Sequence, residues 1–370
     1  MERGDVERKV YEACRRCPYG ADLMVTAFVQ ALNSYRRSSV CTPFPVSLFH
    51  TADGNDKDYQ AAEEAVQNFP KLDLISSSCI PSDVTYVGTS NYVNPIQGMP
   101  LESLNLLYWL LHPRYQLELV QNPAEELSII LPSKLQRGYQ ANEFNVASSP
   151  DHIMRVQKGT KNEEDLKTEF ETIKLSFGSM FAFHGTSAEN LHSILRCGLL
   201  NLSNTTLQRN GAIFGEGTYL STDINVALSF SKAQEGWKDS CFGKKLQYVL
   251  LCEIAKGEKV FYTDKSGQSL RKVNDSSYSG PAHGSYIVVQ NSDLIKIRYV
   301  YVYAEPRLKY ESKLGIRTET TNTTACLEIK RLLGKQDWCR LLIVFYVILL
   351  LGISYFKSVN MHDKRRVSMI

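Results

Sequence analysis

Apolar positions recur at helical spacing through the first third of the chain. Between Ala21 and Tyr35, the residues Met24, Ala27, Phe28, Ala31, Leu32 and Tyr35 share one helix face. Arg36 and Arg37 follow, and Pro43 and Pro45 break the pattern. The spacing predicts two further helices, Asp58–Asn68, stopped before Pro70, and Leu101–Leu111, stopped by Pro113. Residues 1–115 are therefore expected to form a helical accessory domain. Residues 116–177, punctuated by Pro123, Pro132 and Pro150 and by the charged stretch Lys158–Lys167, are expected to be a connecting segment.

From about residue 178 the pattern changes. Met180–His184, Leu246–Ile254, Tyr286–Gln290 and Lys296–Tyr303 are rich in Val, Ile, Tyr and Phe and read as strands. In the last of these, strict alternation places Ile297, Tyr299, Tyr301 and Tyr303 on one face. Glycine-rich turns separate the strands. One helix is expected after the first strand: Thr186-Ser-Ala-Glu189 matches a capping box, Ala188, Leu191, Ile194 and Leu195 supply an apolar face, and Gly198 suits the stop. His192 in this helix is expected on a polar or half-buried face. The fold class expected is α+β, with the helical domain followed by a mixed-sheet domain over 178–305.

The remainder of the chain is different again. Residues 306–338 are polar and read as a tether. Leu341–Phe356 carries no charge and is bracketed by Arg340 and Lys357. At ~1.5 Å per residue the run covers about 24 Å, and Trp338, Cys339 and snorkelling basic side chains can extend it toward a bilayer's ~30 Å core. A transmembrane tail anchor over 339–357 is expected, with a lumenal tail at 358–370 and membrane lipid as a partner. Four basic residues flank the run on each side, so charge does not fix its orientation. The N-terminal MERGDVERKV lacks the apolar core of a secretory signal.

Composition adds exclusions. In 370 residues, 43% are hydrophobic and 22% charged, which excludes a disordered or polytopic membrane protein. Lys+Arg 42 against Asp+Glu 39 gives +3, no electrostatic footprint for nucleic acid. Cys14 and Cys17 form a single CxxC among nine cysteines, with no second pair to complete a zinc site, so no metal is expected. A GxGxxG after a strand, a Walker loop and an HExxH are all absent.

Three short segments carry the chemistry. Phe181-Ala-Phe-His-Gly-Thr186 ends an apolar strand; Phe214-Gly-Glu-Gly-Thr-Tyr-Leu-Ser221 precedes a helical stretch at Asn225–Ser231; Ser285-Tyr-Ile-Val-Val-Gln290 is an aromatic-led strand. Taken singly, each has a structural reading: a strand-end histidine, a hairpin turn with a packed tyrosine, a core strand. Two glycines one residue apart let a backbone approach a ligand closely. In this order and spacing the three closely resemble the catalytic domain of the poly(ADP-ribose) polymerase superfamily, the diphtheria-toxin-like ADP-ribosyltransferase fold. The segment 21–45 and the C-terminal apolar run resemble that family's small tail-anchored mono-ADP-ribosyltransferase of the endoplasmic reticulum.

The resemblance implies a site for NAD as co-substrate, in which nicotinamide is released as ADP-ribose passes to an acceptor. It implies that His184 hydrogen-bonds a ribose hydroxyl and that Gly185 offers its backbone to the carboxamide. Thr186 and Asn190 would touch the adenine-side ribose. Tyr219 would pack on the nicotinamide pocket, Phe230 would stack on the ring, and the loop Leu202–Phe214 would cover the donor. Polymer-forming relatives carry a glutamate where this chain has Tyr286. A phenol, with an ordinary pKa of about 10, is a poor general base, so His184, Tyr219 and Tyr286 point to one ADP-ribose per acceptor. Ala227 stands where relatives commonly place a serine that holds the carboxamide; Ser229 is a possible substitute. His283 and Glu216 lie near the motifs and read as a loop residue and a solvated residue respectively. Protein side chains, the enzyme's own among them, are the expected acceptors, and nucleic acid is not. The expected location is the endoplasmic reticulum or nuclear envelope membrane with a cytosolic catalytic domain, ahead of the mitochondrial outer membrane. Two rivals stand beside this reading: a catalytically weak NAD-binding membrane adaptor, and an RNA 2'-phosphotransferase of the same fold.

Overall fold

A computed structural model describes residues 2–51, 56–77, 95–113, 115–130, 149–158, 168–200, 215–263, 270–273 and 285–305. The polar tether, the apolar run at 341–356, the loop 202–214, the stretch 159–167 and His283 lie outside them. Among the described residues no helix is long and apolar enough to cross a membrane.

The helices are α1 Arg3–Arg16, α2 Pro18–Leu32, α3 Arg37–Val40, α4 Tyr59–Gln67, α5 Leu72–Ser77, α6 Leu101–Leu111, α7 Pro123–Ile130, α8 Glu169–Phe177, α9 Leu191–Cys197 and α10 Ile224–Phe230. The strands are β1 Tyr115–Leu119, β2 His152–Lys158, β3 Ser179–Thr186, β4 Thr218–Ser221, β5 Gln234–Glu235, β6 Lys245–Ala255, β7 Val260–Thr263, β8 Leu270–Lys272, β9 Tyr286–Val289 and β10 Ile295–Glu305. The strands form one sheet in the order β1-β2-β10-β6-β3-β4-β9-β7-β8, with β5 added beside β6. All of these pairings are antiparallel, so the sheet is not mixed. The helices do not act as parallel crossovers here: β3, α9 and β4 run out and back, and β4 returns antiparallel to β3.

The expected helices form where the apolar spacing placed them, except that α2 ends at Leu32 and leaves Tyr35 beyond it and exposed. Pro18 opens α2, where its missing N–H costs nothing. Asp58 caps α4 through a bond from the Ala61 N–H, 2.9 Å. The helical region is not a separate core, however. Phe28, Leu32, Leu104 and Leu107 are buried in one apolar cluster with Ala182, Leu250, Ile287 and Val302 from one face of the sheet. Residues 1–309 behave as a single compact unit. The segment 116–177 also does more than connect. Its Leu117 and Met154 are buried, and β1 and β2 extend the sheet beyond β10.

The opposite face of the sheet buries Phe183, Val249, Leu251, Tyr299 and Tyr301 with Ile224 and Ala227 of α10. Tyr299, Tyr301 and Tyr303 lie on this face, but Ile297 packs with the helices on the other. A register shift between Ile297 and Tyr299 supplies the reason: one extra residue in β10 reverses the alternation. Arg298, at the shift, reaches Glu253 with Nε at 2.8 Å, and Lys174 and Ser179 bond the same carboxylate.

The first helix after β3 also departs from its expected form. Thr186 and Glu189 do not build a capping box; a one-turn 3-10 segment, Ala188–Asn190, precedes α9 and has no side-chain cap. The apolar face Ala188, Leu191, Ile194 and Leu195 is buried, and Gly198 ends α9 at φ +87°. His192 is buried, with Nε2 2.9 Å from the Pro43 carbonyl oxygen, and burial pushes its pKa down to about 3. It is a neutral core residue rather than one on a polar face.

Candidate active site

The site is built where β3 and β4 part. On one side β3 follows β6 without a break as far as Thr186, opposite Tyr248. On the other it pairs with β4 only at Phe183 opposite Ser221. The pairs that would follow, His184 with Leu220 and Gly185 with Tyr219, are missing. The His184 ring fills the fork instead, with Nδ1 2.8 Å from the Tyr219 carbonyl oxygen. A carbonyl can only accept, so Nδ1 carries the proton and donates. In the neutral ring Nε2 is then an acceptor. Burial holds His184 below the ordinary 6.5, against the smaller opposing pull of the Tyr219 bond, so the neutral ring prevails at pH 7.

β9 brings in the third motif. Ser221 stands opposite Phe183 on one side and Tyr286 on the other, and Tyr219 stands opposite Val288. Tyr219 and Tyr286 are thus diagonal neighbours on the same sheet face, with Cα atoms roughly 7–8 Å apart. Both are half-buried. The Tyr219 hydroxyl donates to the Gly215 carbonyl, 2.7 Å. The Tyr286 N–H donates to Thr263 Oγ1, 3.0 Å, in the neighbouring β7.

Both glycines of the Gly215-Glu-Gly217 turn have left-handed φ, +88° and +149°. The space at Gly217 is taken by the protein itself: an added Cβ would sit 2.8 Å from Val288 Cγ1 and 2.9 Å from the Val289 carbonyl oxygen. That turn serves the packing of β4 on β9. Gly185 is tighter still. A Cβ there would lie 1.6 Å from the Ala227 carbonyl oxygen. α10 therefore rests directly on the β3 backbone, one residue past His184.

α10 is fixed at both ends. Asp223 caps it through the Asn225 N–H, 2.8 Å. Ser231 Oγ donates to the Tyr248 carbonyl, 2.6 Å, and the Gln247 amide donates to the Ser231 carbonyl, 2.8 Å. Phe230, at its last turn, is 44% exposed, a ring available for contact. Ala227 is buried against β3, so no hydroxyl stands at that position. Ser229 does not replace it in this arrangement, because its hydroxyl donates back to the Val226 carbonyl, 2.7 Å. Asn190 Nδ2 donates to Thr186 Oγ1, 2.8 Å, coupling the two residues expected at the far ribose. Ser231, Gln247 and Thr263, which hold these pieces, gave no signal in the sequence; their partners are backbone groups far along the chain.

The arrangement offers a neutral imidazole acceptor, two aromatic side chains on one face, an exposed phenylalanine ring and a hydroxyl–amide pair. Such groups can flank a flat aromatic ring and accept from or donate to sugar hydroxyls. Residues 133–292 match the model of the poly(ADP-ribose) polymerase catalytic domain, and residues 12–111 match that of the ARTD15 N-terminal domain. The stretch that carries the three motifs is therefore similar to the poly(ADP-ribose) polymerase catalytic domain. Among curated proteins it is 28% identical over 364 residues to the human "Protein mono-ADP-ribosyltransferase PARP16", across 94% of this chain and 93% of that protein. The mouse protein of the same name is 29% identical over 317 residues, 81% of this chain and 84% of its own. The human "Protein mono-ADP-ribosyltransferase PARP8" is 25% identical over 331 residues, 85% of this chain but 34% of its own length.

Proposed function

We propose that the chain is an NAD-dependent protein mono-ADP-ribosyltransferase. The observation that carries the reading is that His184 bonds the Tyr219 carbonyl at the β3–β4 fork while Tyr286 lies diagonal to Tyr219 on the next strand, in a chain similar along almost its whole length to mono-ADP-ribosyltransferases. The donor set fits NAD. When bound, NAD supplies a cationic glycosidic bond whose cleavage leaves an oxocarbenium-like ribose.

The chain's own residues do the positioning. His184 Nε2 accepts from a ribose hydroxyl, and its Nδ1 keeps the ring aimed by holding the Tyr219 carbonyl. Gly185 presents bare main chain because nothing larger fits beside Ala227. Tyr219, Tyr286 and Phe230 offer faces to the nicotinamide ring. Thr186 and Asn190 hold the distal ribose. With a phenol at Tyr286, the acceptor hydroxyl of a bound ADP-ribose has no carboxylate to polarise it, and elongation stops at one unit. The rate enhancement comes from orientation and electrostatics rather than from a strong base.

The test is incubation of the full-length chain with adenylate-labelled NAD. Label should enter protein as discrete single units while nicotinamide is released. Ladders of long chains would contradict the single-unit reading, and an absence of transfer despite NAD binding would favour the adaptor.

The same reading includes a membrane. The uncharged run Leu341–Phe356 supports a span that tethers the enzyme to the endoplasmic reticulum with the catalytic region cytosolic. A glycosylation sequon appended after Ile370 should then be modified in cells. An unmodified sequon would move the anchor to another membrane or remove it.

A further inference from the structure

Glu189 lies between the two residues expected at the distal ribose and is not part of the motif set. Its side chain is almost fully buried, 2% exposed. Three donors converge on it. Ser34 Oγ donates at 2.5 Å and Arg36 Nη1 at 3.2 Å, both from the segment that follows α2. Gln234 Nε2 donates at 3.1 Å from β5. Gln234 is itself held from the same helix, because Gln30 Nε2 donates to its carbonyl at 3.2 Å. The Tyr248 hydroxyl donates to Gln30 Oε1, 2.8 Å, beneath Thr186 in the sheet register.

Burying a carboxylate is costly, and a buried ion pair is a weak source of stability. What this one achieves is geometric. It pins the middle of the single 3-10 turn Ala188–Asn190. The first residue of that turn is held by the Lys232 carbonyl, just past α10, at 3.0 Å. The last, Asn190, makes the 2.8 Å bond to Thr186 Oγ1. With the turn fixed at both sides, the Asn190 amide and the Thr186 hydroxyl keep one relative orientation. Without it, a three-residue segment that has no side-chain cap would carry the ribose contact.

We infer that Glu189 is a positioning residue for the adenosine-side end of the co-substrate, and that the segment Ser34–Arg36 acts on NAD through it. The inference rests on the reading of the site as an NAD site. It assigns to the N-terminal helical region a specific task in co-substrate binding, confined to one end of the molecule.

The experiment is calorimetric titration of the full-length chain with ADP-ribose and, separately, with nicotinamide. Glu189→Gln should weaken ADP-ribose by about tenfold, the worth of a lost charge-assisted hydrogen bond, and leave nicotinamide affinity within about twofold. In steady state the same variant should raise KM for NAD with kcat little changed. Ser34→Ala keeps the Arg36–Glu189 pair and should shift ADP-ribose in the same direction by about threefold; it decides the matter if Glu189→Gln does not fold. Unchanged ADP-ribose affinity in the folded variants, or an equal loss for both ligands, would overturn the inference. A wild-type chain that binds neither ligand would overturn the NAD reading itself.

Discussion

Gly185→Ala should abolish measurable ADP-ribosyl transfer and lower stability by about 3 kcal/mol. The new methyl carbon would lie 1.6 Å from the Ala227 carbonyl oxygen, close to a covalent distance of ~1.5 Å. Neither atom belongs to a side chain that can rotate away. Either α10 lifts from β3 or β3 bends at the residue after His184. α10 has little freedom to lift, because Ser231 and Gln247 tie its C-terminal end to β6. A displacement of ~1 Å at a positioned site costs about 10²-fold in rate, and the displacement forced here is larger. Chemical denaturation reads the stability and labelled NAD the activity. Wild-type values for both would mean that Ala227 does not rest on Gly185.

His184→Ala should reduce kcat/KM for NAD by about 10²- to 10³-fold, the usual loss when one preorganised hydrogen-bonding group leaves a site. Two contacts go together: the Nδ1 bond that fixes the Tyr219 carbonyl, and the acceptor at Nε2. The pH profile carries independent information. Burial disfavours the imidazolium and holds the ring below 6.5. The neutral ring accepts at Nε2; the protonated ring cannot. Activity should therefore be level from pH 6.5 upward and decline only as acid charges the ring. The same depressed value adds stability that is fully present above pH 6.5 and is lost as pH falls below it. An acid limb centred above pH 7 would contradict a neutral, half-buried His184.

Much of this architecture is written in local pattern. The Val- and Tyr-rich runs that became β3, β6, β9 and β10 could be read directly from their β-branched and aromatic content, as could α2, α4 and α6 from their helical apolar spacing. Elements at the sheet margin were harder. β1 and β2 lie in a proline-broken stretch and gain their strand character from pairing with each other and with β10. The period-2 face of β10 was misassigned at Ile297 because a bulge leaves no mark in the alternation.

The site shows the same division. His184, Tyr219 and Tyr286 were visible through the order and spacing of the three motifs and the resemblance these carry; taken singly, none of them stood out. Glu189 looked like a helix cap, which is the favourable choice locally. The structure turns it toward Ser34 and Arg36, more than 150 positions away along the chain. A tertiary ion pair outcompetes a local cap, and no window of sequence contains both partners.

Soaking nicotinamide into crystals of the full-length protein would locate the slot on which the account depends. The ring should lie between the faces of Tyr219 and Phe230, with Tyr286 beside it and its carboxamide against the main chain of Gly185. Density for nicotinamide elsewhere on the molecule, or at a place reached by only one of residues 184, 219 and 286, would contradict it.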